Sequence, residues 1–180
     1  MKTKVHSDNR GDHYKFFEKS DVRSLGFQDV EEVFMTNNNK GTIRGLHRQF
    51  SEGKTQQKVI KALSGRFNVR VVFPLAEINK NISILDLIKD ATETFIDKEF
   101  IIAYFDGYDV DLNPILIPAG AYLGYLSLED DSKMLYIGDN KFNAEADDGR
   151  NPFSLDIDWG SDTARYISER DQLAEPLEYL

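Results

Sequence analysis

Short apolar runs separated by turn residues dominate the chain. In "FNVRVV", Phe67, Val69 and Val71 alternate with Asn68, Arg70 and Val72, which puts the two sets on opposite faces of a strand. "KVIKAL" precedes it across Ser64-Gly65, so Lys58 to Phe73 reads as a β-hairpin. Further strands are predicted over Glu99 to Phe105, ended by the turn "DGYD", and over "PILIPAG", "YLGYLSL" and "KMLYIGD", with breaks at Pro118 and Gly120. Two stretches predict helix. Ser20 to Phe27 opens on Ser20 and Asp21, both good caps. Ile82 to Phe95 places apolar residues at 82, 84, 85, 88 and 91, a helical spacing. The tail "ISERDQLAEPLEYL" is charged and irregular, with room for a short helix over the sheets. Many short strands without β–α alternation predict a mainly β sandwich or barrel with a few short helices.

The 180 residues suffice for one domain with a real core and are too few for two comfortable ones. The absence of cysteine removes disulfides and thiolate metal sites. No run approaches the ~18 apolar residues of a membrane span, and the polar start "MKTKVHSDNR" is not of the secretory kind. A soluble cytoplasmic protein is the expectation. The net charge of −9 argues against a broad nucleic-acid surface. Within that acidic chain, residues 40–70 carry Lys40, Arg44, Arg48, Lys54, Lys58, Lys61, Arg66 and Arg70 against the single acid Glu52. Such a zone fits a small anionic ligand, and fits equally a set of solvated side chains on strand edges.

One of the chain's three histidines, His47, lies in the extended "GTIRGLHRQF". Gln49 and Ile43 would share its face, and Arg44 would face away, because that separation is odd, unless Gly45 or a bulge breaks the alternation. On spacing alone a structural histidine is the more common reading. A metal site is weakly supported: small β-barrels that hold a metal often use a His-x-His pair, and here the sequence is His47-Arg48-Gln49. No Gly-x-Ser-x-Gly elbow and no Gly-Lys-Ser/Thr loop is present. General acid–base chemistry remains, with His47 as a base near neutral pH and Tyr136 as a candidate acid. Taken alone, Tyr136 reads more simply as a core tyrosine with a bonded hydroxyl.

"KGTIRGLHRQ" followed by "QQKVIKALSGRFNV" resembles the dTDP-4-dehydrorhamnose 3,5-epimerase family, whose pattern runs Lys-Gly-Val-Leu-Arg-Gly-Leu-His-Tyr-Gln, Gln-x-Lys-Leu-Val, Gly-Glu-Val-Phe-Asp-Val. "DNRGDHYKFF" resembles its Asp-x-Arg-Gly-x-Phe motif. "ILIPAGAYLGYLSLEDDSKMLYIGDNKF" resembles Pro-Pro-Gly-x-x-His-Gly-Phe with the following Phe-Leu-Tyr-Lys strand. "YISERDQLAEP" resembles Leu-Ser-x-Lys-Asp-x-x-x-Pro. The resemblance spans about Asp8 to Pro176.

It implies a single cupin-type jelly roll over 1–180, a homodimer with exchanged N-terminal strands, and neither metal nor other cofactor. The implied substrate is a nucleoside-diphosphate 4-keto-6-deoxy sugar, epimerised at C3, C5 or both through an enolate, for polysaccharides of the O-antigen type. His47 matches the base, Asp171 its hydrogen-bonded aspartate, Lys58 the stabiliser of the enolate oxygen and Tyr136 the acid. Arg44, Gln49, Phe142 and Arg10 form the implied substrate-binding set, Arg10 reaching the diphosphate across a dimer. The family histidine falls at Leu123, its second tyrosine at Phe142, its hairpin aspartate near Val69 beside Asn68, and its post-tyrosine lysine at Ile137. Asp12 and His13 replace aromatics, and 76–98 is longer than the family's turn. These departures touch the ligand shell and leave the nucleotide base and sugar open. The alternatives are a non-catalytic sugar-nucleotide-binding cupin or partner scaffold and, ranked below it, a 3,4-ketoisomerase, whose His-Ala-His-like core "GLHRQ" lacks.

Overall fold

The computed structural model describes residues 2–24, 26–27, 29–51, 55–77, 83–162 and 164–178. Its elements run β1 (Lys4–Asp8), β2 (Gly11–Lys15), α1 (Lys19–Ser24), β3 (Glu32–Asn38), β4 (Ile43–Gln49), β5 (Lys58–Ser64), β6 (Phe67–Pro74) and α2 (Ile84–Ile88). They continue with β7 (Glu93–Ile96), β8 (Phe100–Tyr108), β9 (Ile115–Ile117), β10 (Tyr122–Ser127), β11 (Ser132–Gly138), β12 (Asp147–Gly149) and α3 (Glu169–Leu173). Two antiparallel sheets, ordered β12-β4-β10-β6-β8-β7 and β3-β11-β5-β9, face each other as a cupin-type jelly roll. A separate hairpin pairs β1 with β2 and is exposed along nearly its whole length.

The alternation read in "FNVRVV" is the alternation observed. Phe67, Val69 and Val71 enter the core between the sheets, with Ile60, Ala62, Leu123, Tyr125, Met134 and Tyr136. The opposite face of β6 is buried too, because the C-terminal segment covers the six-stranded sheet through Ile157 and Trp159. Asn68 donates to the Trp159 carbonyl at 2.8 Å and accepts from Gly107 N at 3.0 Å. Arg70 pairs with Asp106 at 2.7 Å. Val22 and Phe27 cover Val59 and Ile137 on the outside of the other sheet.

Two expectations are corrected. β5 and β6 do not form a hairpin: they lie in opposite sheets, β5 between β11 and β9, and β6 between β10 and β8. Ser64-Gly65 is a corner between sheets, and the continuous burial of β6 reflects a central strand covered on both faces. The long helix expected to Phe95 is also absent as such. Only Ile84–Ile88 is helical, capped by Ser83, while Glu93–Ile96 becomes the edge strand beside β8; Ile82 lies outside the described residues. The "DGYD" turn comes later than expected, since Asp106 and Gly107 still belong to β8.

Candidate active site

His47 sits on β4, beside Leu123 of β10 on one side and Gly149 of β12 on the other. The ladder between β4 and β10 shifts register, so that Leu123 faces His47 but Tyr125 faces Arg44. Two steps on β10 thus match three on β4, a bulge that breaks the period of two. Gly45 makes it possible: φ is +118°, and a Cβ there would lie 2.5 Å from Gly124 Cα. Arg44 and His47 therefore open on the same side. By the same shift Ile43, expected beside His47, joins the outer core with Leu46.

A cavity of about 210 Å³ lies between the sheets at this end. Arg44, His47, Gln49 and Leu123 line it from the six-stranded sheet. Lys58 of β5 and Tyr136 of β11 line it from the other, and Phe142 also lines it. Asp171 stands directly behind His47, at 2.7 Å from Nε2 to Oδ1. It lies in the first turn of α3, where Ser168 caps its backbone N–H at 3.1 Å. Arg170 Nη2 is 2.8 Å from the same ring nitrogen, and its Nη1 is 2.5 Å from Asp147. One nitrogen cannot donate to Asp171 and accept from Arg170 together. The buried carboxylate takes the Nε2–H, which leaves Nδ1 as the unprotonated nitrogen of the neutral ring.

Burial alone would push the Asp171 carboxyl up; the hydrogen bond and charge of His47, with Ser168 and Arg170, hold it below its ordinary value. Burial, reinforced by Tyr125, pushes the Tyr136 phenol well up, so it keeps its proton at neutral pH. Burial draws the Lys58 ammonium down against the opposing charges of Asp147 and Glu32. Among the described residues Lys58 Nζ has no hydrogen-bond or ion-pair partner, so it is open to the cavity.

Of the expected substrate-binding residues, Arg44 donates from Nε to Asn38 at 2.9 Å and borders both the cavity and an adjoining groove of about 650 Å³. Gln49 is committed to the loop bearing Phe142: it donates to the Lys141 carbonyl at 3.0 Å and accepts from Asn143 N at 2.6 Å. Phe142 lines the cavity while 61% exposed. Arg10 is not brought to the cavity by its own chain; it sits at the tip of the β1–β2 hairpin, paired with Asp8 at 2.6 Å.

The basic zone is not one patch. Only Arg44 and Lys58 of it reach the cavity. Arg48, Lys61 and Arg70 are neither solvated nor directed at a ligand; they are buried against Asp148 and Glu77, against the carbonyls of Val110 and Leu112, and against Asp106. Arg66 pairs with Glu129 on the surface, Lys40 is exposed, and Lys54 and Glu52 lie outside the described residues. Five cavity or rim residues escaped the sequence reading: Phe34, Thr36, Tyr125, Asp147 and Arg170. The period of two in "VFMTNN" carried the signal for the first two, and that of "YLGYLS" for the third.

The family model for dTDP-4-dehydrorhamnose 3,5-epimerase matches residues 1–73. A dTDP-4-dehydro-6-deoxyglucose 3-epimerase from Streptomyces sp is 25% identical over 182 residues, covering 96% of this chain and 81% of that protein. Among solved structures, a dTDP-4-dehydrorhamnose 3,5-epimerase from Bacillus anthracis with TDP and PPi bound has a TM-score of 0.73 at 22% identity, covering 98% of this chain and 91% of its own. A 3'-monoepimerase from Streptomyces bikiniensis in complex with dTDP-quinovose also has a TM-score of 0.73, at 24% identity over 98% and 81%. By these matches the chain is similar to dTDP-sugar epimerases, to the family model over its first 73 residues and to the solved structures in fold over nearly its whole length, with the Arg-Gly-Leu-His strand set in a jelly roll.

Proposed function

We propose that the chain epimerises a dTDP-4-keto-6-deoxy sugar at C3, C5 or both, with His47 as base and Tyr136 as acid. The observation that carries this reading is that His47 and Tyr136, from opposite sheets, line one cavity that Lys58 also enters. The C4 carbonyl acidifies the hydrogens on its neighbours. His47 Nδ1 takes one of them, and Asp171 holds the resulting imidazolium through Nε2–H. Lys58 places positive charge at the enolate oxygen. Tyr136 returns a proton to carbon from the other face, which inverts the centre. Arg44, Arg165 and Arg170 border the adjoining groove, a fitting seat for the diphosphate, and a phosphate there would draw Arg170 off the imidazole.

The same reading includes a homodimer with β1–β2 exchanged. The hairpin is exposed, and the edge strand β3 turns Val33 and Met35 outward at 58% and 49% exposure. Exchange would carry Arg10 to the partner's diphosphate. The product would feed deoxysugar supply for polysaccharide assembly. The test is NMR of dTDP-4-dehydro-6-deoxyglucose in D2O with the protein; deuterium at C3, C5 or both is expected. A second reading, a sugar-nucleotide binder without catalysis, is favoured by one observation, the apolar Leu123 directly opposite His47. Calorimetric binding of the dTDP, CDP or GDP forms with no deuterium entering any of them would favour that reading instead.

A further inference from the structure

We propose that Arg170 makes proton abstraction conditional on a diphosphate in the substrate: Asp147 holds it against His47, and it is drawn off only when that group enters the adjoining groove. The proposal rests on the epimerase reading above and adds a specificity-determining residue to it. Arg170 borders both the cavity and the groove, and its side chain is 56% exposed, which leaves the guanidinium room to turn. Its three nitrogens are divided. Nη1 lies 2.5 Å from Asp147 Oδ2, Nη2 lies 2.8 Å from His47 Nε2, and Nε lies 3.5 Å from Asp171 Oδ1. The two carboxylates account for the place of the guanidinium. The imidazole does not, because its Nε2–H goes to Asp171 and offers Arg170 no lone pair. A cation is thus held against the ring that must become a cation when it takes the substrate's hydrogen. Like charges at that distance repel, which opposes the imidazolium for as long as Arg170 stays.

The groove supplies the opposing pull. Among the described residues Arg44 and Arg165, which also line it, have no carboxylate partner, although the chain carries a net charge of −9. Arg10, Arg48, Arg66 and Arg70 each pair with an acid. A diphosphate drawn to those two arginines offers Arg170 more negative charge than Asp147 does, with oxygens placed for bidentate bonds. Once Arg170 turns to it, the repulsion at His47 is gone and Asp171 holds the imidazolium unopposed. A sugar that lacks the diphosphate leaves the guanidinium where it is. The fork of arginine is what lets Nη1 hold Asp147 while Nη2 lies on the ring. Lysine, which the family pattern carries at this place, has no fork.

The test follows solvent deuterium into dTDP-4-dehydro-6-deoxyglucose and into 4-dehydro-6-deoxyglucose, the same sugar without its nucleotide, the latter with and without inorganic pyrophosphate. In wild type, saturating pyrophosphate should raise exchange into the free sugar about tenfold. Arg170→Lys should reach the stimulated rate without pyrophosphate and gain little from adding it. Its KM for the dTDP sugar should stay close to wild type, because the positive charge is kept. Asp147→Asn removes the anchor and keeps Arg170, and it should likewise raise the unstimulated rate. A merely structural role would not move the dependence on pyrophosphate. No stimulation in wild type would overturn the proposal, whether or not the variants fold. So would equal stimulation in wild type and both variants. If wild type exchanges no deuterium into the dTDP sugar itself, the epimerase reading fails first and the proposal with it.

Discussion

His47 needs Asp171 for more than proximity. The carboxylate selects the ring nitrogen that stays protonated, and so, on the proposed mechanism, which nitrogen would meet the substrate. Asp171→Asn keeps the size of the side chain but no longer imposes that tautomer. Its kcat is expected to drop by roughly 10²- to 10⁴-fold with little change in KM. Stability should follow the sign of the Asp171 shift. The folded carboxyl titrates below its ordinary value of 3.8, so between the two values the unfolded chain binds more protons. Its stabilisation is complete above 3.8 and is lost as pH falls through the folded value. Asp171→Asn should therefore melt below wild type at neutral pH, and thermal melts should show the gap closing as pH drops under 3.8. At this level the sequence was readable where a motif marked the residue. His47, Lys58 and Tyr136, which line one cavity, and Asp171, which bonds His47, each lie in a recognisable string. Tyr125 and Thr36 were not readable, because a tyrosine and a threonine on strands are ordinary until their hydroxyls are seen to meet at 2.8 Å.

β4 and the β5–β6 corner decide whether those side chains meet. A regular β4 would have turned Arg44 away from His47, and the bulge at Gly45 turns it back. The corner at Gly65 sends β5 and β6 into different sheets, which puts Lys58 on the wall opposite His47. Gly65 has φ +71°, and a Cβ there would fall 2.0 Å from Ser132 Oγ. Gly107 has a similar φ of +67° with nothing within 4 Å of such a Cβ. Gly107→Ala should cost about 1 kcal/mol for backbone conformation alone, and Gly65→Ala should cost clearly more because β11 must also shift. Chemical denaturation of the two variants checks this; equal losses would mean that the corner is not tightly packed. The strands were legible from their alternation, but their partners were not. Ser64-Gly65 carries the same turn chemistry whether the chain folds back beside itself or crosses to another sheet. Glu93–Ile96 became a strand because an open edge of β8 was available, which no local period of apolar residues announces.

In the whole molecule, Arg10 at the hairpin tip and His47 in the cavity stand apart within one chain. On the proposed dimer they act in one site, Arg10 coming from the partner. Arg10→Ala and His47→Ala homodimers should each be weak or inactive, yet mixing and re-equilibrating them should restore activity toward about a quarter of wild type, because half the dimers are then mixed and each has one intact site. No recovery would place Arg10 in its own subunit's site or outside both. The mainly β class was legible from many short strands, while the two-sided burial of the six-stranded sheet required the C-terminal segment, whose Trp159 and Ile157 lie in no periodic stretch. The central claim is proton transfer at carbon by His47 and Tyr136, and solvent deuterium followed into C3 and C5 of dTDP-4-dehydro-6-deoxyglucose tests it most directly. Wild type should incorporate label, His47→Ala should incorporate none at either carbon, and Tyr136→Phe should slow epimer formation more than exchange. Label entering at the wild-type rate with His47→Ala would contradict the account.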